Sequence, residues 1–160
     1  MPPSDSLPIK AQNYVTWEDV LKRPELADKI RWGRLKSLQR AFEKLSRAYH
    51  GDASRLVDLC RQHIVFDSVG DLTQCLGKII TDDNVWLVLI KNRMDLHYDS
   101  SRSAGYRDVT VLLQFNTPEA IAMACETHIC EVQLVLRRIS DLKRDDGHAR
   151  YIKFSNARAE

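Results

Sequence analysis

Thr127 to Leu136 reads as a strand in which Cys130, Val132, Leu134 and Leu136 mark one face, and Glu131 and Gln133 mark the other. This pattern demands a strand with one face on a core. It also sets a carboxylate and an amide where solubility does not call for them. Tyr106 to Phe115 repeats the design, with Val109, Val111 and Leu113 on the core side and Tyr106, Asp108 and Thr110 opposite. If the two strands pair, Asp108, Thr110, Glu131 and Gln133 share one polar sheet face. Two carboxylates on such a face suit a divalent-metal or proton-handling site.

The rest of the chain supplies the partners. Leu59–Phe66 reads as another strand, and Val85–Lys91, apolar on both faces, as a strand central in its sheet. Thr16 before Trp17-Glu18-Asp19 predicts a short helix to Arg23. Pro24 then opens a longer one, in which Leu26, Ile30, Leu38, Ala41, Phe42, Leu45 and Ala48 recur near helical spacing until His50-Gly51-Asp52, with Gly33 as an interruption. Asp67-Ser68 caps a helix through Ile79, and a last helix starts near Ile139. Pro118–Cys125 fits a helical turn or an extended loop equally. The order predicts an α/β (α+β) fold, a mixed β-sheet of about four to five strands with helices packed on it. Length allows one domain over 16–155, between a proline-rich flexible leader (1–15) and a tail (156–160).

A net charge of +2 is too small for nucleic-acid binding by bulk electrostatics. Its distribution is uneven: between Lys22 and Arg47 nine basic residues face only Glu25, Asp28 and Glu43. Such a local cluster suits a compact polyanion. Cys60, Cys75, Cys125 and Cys130 lack metal-ligand spacing and read as reduced core residues. The leader has no apolar signal core and the longest apolar run, Val85–Ile90, cannot span a bilayer, so the expectation is a cytoplasmic protein with no membrane partner. Asp58, at the entry to the first strand, is a third acid. Acids on a sheet beside a basic helix are the parts of phosphoryl transfer.

Here the residues resemble a known family. Arg34-Leu35-Lys36-Ser37 followed by Lys44 resembles the RxKS…K segment with which RelA/SpoT-type synthetase domains hold nucleotide phosphates. Asp58 falls where that family has a Mg2+-binding aspartate, ahead of Ile64-Val65. Lys91 and Gly105-Tyr106 resemble its Lys…Gly-Tyr stretch, whose tyrosine stacks on the acceptor guanine. Cys130-Glu131-Val132-Gln133-Leu134 resembles its Glu-Val-Gln strand, and Gly147-His148 with Tyr151 its following helix. The likeness runs from about Arg31 to Tyr151.

The resemblance implies a nucleotidyltransferase-like fold and pyrophosphoryl transfer from ATP to the 3′-hydroxyl of GDP or GTP, with Mg2+ as cofactor. It further implies Asp58 and Glu131 as catalytic and metal-binding acids, with Asp108 as an additional metal ligand. Arg34, Lys36, Ser37, Lys44, Arg61, Lys91, Tyr106 and Gln133 would bind nucleotide. The chain departs from the family pattern at several of these points. Arg40 and His63 stand where the family has serine and arginine, although Arg61 is two residues before the latter. Gly105-Tyr106-Arg107-Asp108-Val109-Thr110 replaces Gly-Tyr-x-Ser-x-His, and Ala104 replaces an asparagine. These changes motivate an alternative, a catalytically inactive fold that binds a nucleotide, RNA or a protein. A third reading is a structural fragment of a larger protein.

Plain structural roles stand beside the chemical ones. Arg34, Lys36 and Lys44 also fit a solvated helix face, Asp58 a helix cap, Tyr106 an aromatic cover on the sheet edge, and Asp108 an ion pair with Arg107 or Arg102. No Walker, GxGxxG, Ser-His-Asp or His-metal pattern is present.

Overall fold

The computed structural model describes residues 17–29, 32–103 and 105–142, with the side chains of Trp17, Glu18, Asp28 and Lys29 left aside. The chain divides into two units, Met1–Trp32 and Gly33–Glu160. In the first, helix α1 (Trp17–Lys22) is followed by a 3-10 turn over Pro24–Lys29. The leader, the Thr16 cap, Ala104, the Gly147-His148-Tyr151 stretch and the tail lie outside the described residues.

The second unit is built on one four-stranded mixed sheet: β1 (Cys60–Phe66), β2 (Val85–Asn92), β3 (Val109–Phe115) and β4 (Cys130–Leu136), in the order β1-β4-β3-β2. β1 runs parallel to β4, and the other two pairs are antiparallel. Val109, Val111, Leu113, Cys130 and Leu134 form a core with Leu72 of helix α3 (Val69–Ile80), flanked by Ile64, Cys75, Leu76, Ile79 and Ile90. α3 begins where expected, because the Ser68 hydroxyl accepts from the Asp71 amide and caps the first turn. Pro118–Ala122 settles as a short helix, α4, capped by Thr117, and helix α5 covers Arg137–Leu142.

Three expectations need correction. The long helix from Pro24 does not form; helix α2 spans only Leu38–Ala48, with Ser37 as its N-cap. Gly33 is the reason. Its amide donates to Gln62 Oε1 at 2.6 Å, and a Cβ there would sit 2.0 Å from the Arg61 carbonyl oxygen. The segment lies against β1, the Lys36 amide donates to the Leu59 carbonyl, and a continuous helix is impossible. The second correction concerns β2, which is an edge strand despite its apolar faces. A bulge at Val88 puts Leu87 and Ile90 opposite the core residues Leu113 and Val111 of β3, and leaves Trp86 and Leu89 on the other face. Finally, Cys125 is exposed and not a core residue, although all four thiols are free.

Candidate active site

α3 covers one face of the sheet, and the polar residues gather on the other. Strand register orders them in rows. One row reads His63, Gln133, Thr110, Lys91 from β1 to β2, and the next reads Arg61, Glu131, Leu112, Leu89. Glu131 and Gln133 thus share a face with Thr110, as alternation requires. The Gln133 amide donates to Glu131 Oε1 at 2.6 Å, which orients one carboxylate oxygen and leaves the other to a ligand.

Asp58 lies just before β1 and is only 7% exposed. Its Oδ2 accepts from Lys36 Nζ at 2.5 Å and from Lys44 Nζ at 3.1 Å. The two lysines arrive by different routes. Lys36 is on the extended segment that Gly33 allows beside β1, and Lys44 is two turns into α2. The other oxygen, Oδ1, is buried with no hydrogen-bond partner. Burial alone would raise the Asp58 pKa, but the Lys36 hydrogen bond and the charges of Lys44 and Lys36 outweigh it and hold the carboxyl below its ordinary value.

The neighbours respond in character. Glu131 is pushed up by burial first and by the Asp58 charge second, with only partial relief from Gln133, Lys44 and Arg61. Lys36 is lowered by burial and by the nearby cations Lys44 and Arg61, even though Asp58 pulls the other way. For Lys44 burial is overcome by a hydrogen bond to Tyr49 and by Asp58, and its pKa rises. Asp58 is thus shared by two lysines, while Arg61 is near enough to act on both Lys36 and Glu131.

Asp108 is placed elsewhere. Extending the β3–β4 register sets it beside Val135, four residues along β4 from Glu131 and therefore roughly 13 Å away. It is fully buried. Arg93 Nη1 donates to its Oδ1 at 2.7 Å and to Thr110 Oγ1 at 3.1 Å, and Thr110 Oγ1 donates to its Oδ2 at 3.2 Å. Both oxygens are satisfied, and the arginine is neither Arg107 nor Arg102. Arg107 instead gathers the carbonyls of Arg93, Asp95 and Tyr98, bracing the loop that ends at Gly105 (φ 82°) and Tyr106. Tyr106 Oη lies 3.4 Å from His63 Nε2, which brings the tyrosine over β1.

The structure therefore brings Lys36, Lys44, Asp58, Arg61, Glu131 and Gln133 together. Lys91 and Tyr106 border the next row, Arg34 is exposed, and Ser37 is engaged as the α2 cap, its Oγ accepting from the Arg40 amide at 3.4 Å. Sequence reasoning missed Arg93 and Tyr49, and named His63 only as a departure from the family pattern. Only Arg93 left a trace, since a buried acid on an apolar strand needs a cation within reach.

Among the described residues no three His, Cys, Asp or Glu side chains form a metal-binding group. A pair of carboxylates does fit Mg2+, which binds through one or two acids and completes its shell with substrate phosphates and water. The partnerless Asp58 Oδ1 beside the partly free Glu131 matches that donor set. No helix among the described residues is long and apolar enough to cross a membrane.

The mixed four-stranded sheet with its helix layer has the fold of solved small alarmone synthetases and GTP pyrophosphokinase family proteins. Three solved structures, two of them of one enzyme, share it. Small alarmone synthetase 1 from Bacillus subtilis, bound to its product pppGpp, is 19% identical, with 76% of this chain and 60% of that one covered and a TM-score of 0.57. A GTP pyrophosphokinase family protein from Streptococcus pneumoniae is 16% identical, with 84% and 68% covered and a TM-score of 0.62. The Bacillus enzyme bound to AMPCPP is 18% identical, with 87% and 70% covered and a TM-score of 0.51. The chain thus spans about 60% of the length of the product-bound enzyme, and at these identities the likeness is one of fold. No protein-family model and no curated protein matches the sequence.

Proposed function

We propose that the chain is a Mg2+-dependent transferase that moves the pyrophosphoryl group of ATP to the 3′-hydroxyl of GDP or GTP. The observation that carries this reading is the buried Asp58, clamped by Lys36 and Lys44 with one oxygen left without a partner, beside Glu131 on the open sheet face. Lys36, Lys44, Arg61 and the exposed Arg34 would hold the donor phosphates, with the N-terminus of α2 at Ser37 adding its dipole. Tyr106 would stack on the acceptor base, with Lys91 and Gln133 flanking it. Asp58 and Glu131 would hold the Mg2+, which when bound offsets the charge developing on the transferred phosphates.

Glu131 would draw the proton from the acceptor hydroxyl as its oxygen attacks the β-phosphorus. The O3′–Pβ bond forms, the bond from Pβ to the oxygen of the α-phosphate breaks, and AMP leaves with the electron pair. The lysines stabilise the negative charge that accumulates during this step. The reading calls for a cytoplasmic location, where these nucleotides are pooled.

Thermal-shift titration with ATP, GDP and GTP, with and without Mg2+, followed by chromatography of the products, tests it. The expected result is a Mg2+-dependent rise in Tm and AMP formation only when both nucleotides are present. Asp58→Asn and Glu131→Gln should both stop AMP formation. Nucleotide binding that persists in Glu131→Gln, with no AMP from the native chain, would instead establish a binding module without turnover. No shift with any nucleotide would overturn both.

A further inference from the structure

β2 has the composition of an interior strand and the position of an outer one. Among the described residues nothing pairs with its free edge. Trp86, Leu87, Val88 and Leu89 are 57%, 43%, 44% and 45% exposed, an unbroken apolar run on a strand of eight residues. Edges that must stay unpaired carry lysine, proline or inward charges. From Val85 to Ile90 there is none, and the bulge at Val88 is the single protective device. Exposed backbone donors and acceptors beside four exposed apolar side chains are a template for another strand.

The flanks say which strand. Asp82 and Asp83 precede β2 and Lys91 follows the apolar run, so the segment is acidic at one end and basic at the other. A parallel copy would set acid beside acid and base beside base. An antiparallel copy does the reverse at both ends, because a two-fold interface repeats every contact. Asp83 and Lys91 each stand four residues from Leu87, on opposite sides of it. Pairing about Leu87 therefore sets each Trp86 opposite Val88 and brings the Asp82–Asp83 turn of each copy to the strand end that carries the other copy's Lys91.

We propose that β2 pairs antiparallel with β2 of a second copy of this chain, about a two-fold axis at Leu87, joining two sheets into one of eight strands. The active-site acids are unaffected in position, since Glu131 is two strands away from this edge. The pairing depends on the edge and its flanks and not on turnover, so it holds or fails separately from the function proposed above.

Sedimentation velocity of the full chain from low micromolar to submillimolar concentration tests the proposal. A reversible dimer is expected. Val88→Lys places a charge on the edge at the one β2 residue without a partner in β3, and should abolish the dimer while the circular-dichroism spectrum stays native. Asp83→Lys alone should weaken dimerisation about tenfold, because two cross-strand pairs turn repulsive at once. Asp83→Lys combined with Lys91→Asp should restore it. A chain that is monomeric throughout overturns the proposal, as does a dimer indifferent to Val88→Lys. A double variant no better than the single one overturns this register. Should Val88→Lys fail to fold, the charge-reversal pair alone decides, since both of its positions are at the exposed ends of the run.

Discussion

Asp58 and Asp108 are both buried acids at the entrance of a strand, each met by cations, and they serve opposite ends. Asp108 is tied on both sides: Arg93 donates to one oxygen and Thr110 to the other, in a fully buried position. Asp58 is loaded on one side only, with two lysines on Oδ2 and no partner on Oδ1. A buried acceptor without a partner costs about 1–3 kcal/mol. A fold sustains that cost where a ligand repays it, and avoids it where the acid merely fastens two strands. The useful distinction between a strut and a site is thus how many oxygens remain unspent; burial and charge partners alone do not separate them.

The largest effect that can break this distinction is on turnover. On the proposed function, Glu131→Gln removes the proposed base and Asp58→Asn the charge facing both lysines; each should lower AMP formation by roughly 10²–10⁴-fold. Asp108→Asn should leave the rate within about tenfold of native, provided that the chain is assayed well below its Tm. A rate loss at Asp108 as deep as that at Asp58 would show that both acids belong to the site.

Stability should sort them the other way. Asp108→Ala strips a fully buried partner from Arg93 and Thr110, and such losses cost about 3–5 kcal/mol; the lower end applies here because the Arg93 side chain is 28% exposed. Urea denaturation measures it. Asp58→Asn also leaves lysines unpaired, but on the proposed function these would face the donor phosphates. Its loss should be recovered by tripolyphosphate without any metal, by about 1.4 kcal/mol at ten times the dissociation constant. No anion should rescue Asp108→Ala. Equal rescue of both variants would remove the contrast between an open and a closed acid.

Much of this was legible in the sequence. Alternation identified the β3 and β4 cores and the shared polar face, because a period of two leaves no choice of side once one face is apolar. The Ser68 cap was readable for a similarly local reason, and α3 begins as that cap dictates. Two errors came from tertiary causes. Whether Val85–Ile90 lies inside or at the rim of a sheet depends on what pairs with it, and the apolar run is the same in both cases. Gly33 was readable as an interruption, but its close approach to Arg61, 28 residues later in the chain, lies in no local window. At the site, the acids at 58 and 131 and the lysines at 36 and 44 could be named but not joined. The partner of Asp108 was misassigned because Arg107, its neighbour in sequence, turns away to the carbonyls of residues 93, 95 and 98.

The smallest effect is also the most diagnostic of how Glu131 is held. Burial and the Asp58 charge raise its pKa, so the folded chain binds that proton more tightly than the unfolded chain does. The stabilisation is complete below the unfolded value of about 4.3 and is lost as pH rises through the higher folded value. Asp58 has the opposite sign: its depressed pKa lends stability above about 3.9 that fades as pH falls through the lower folded value. Glu131→Gln copies the protonated state at every pH. Its Tm should match that of the native chain near pH 4 and exceed it increasingly toward neutrality. Melting curves of the two chains across this range read the difference directly. An offset that is the same at every pH would mean that the glutamine gains stability by packing or hydrogen bonding, and that Glu131 is not the strained anion that sets this face apart from the sealed pair at Asp108.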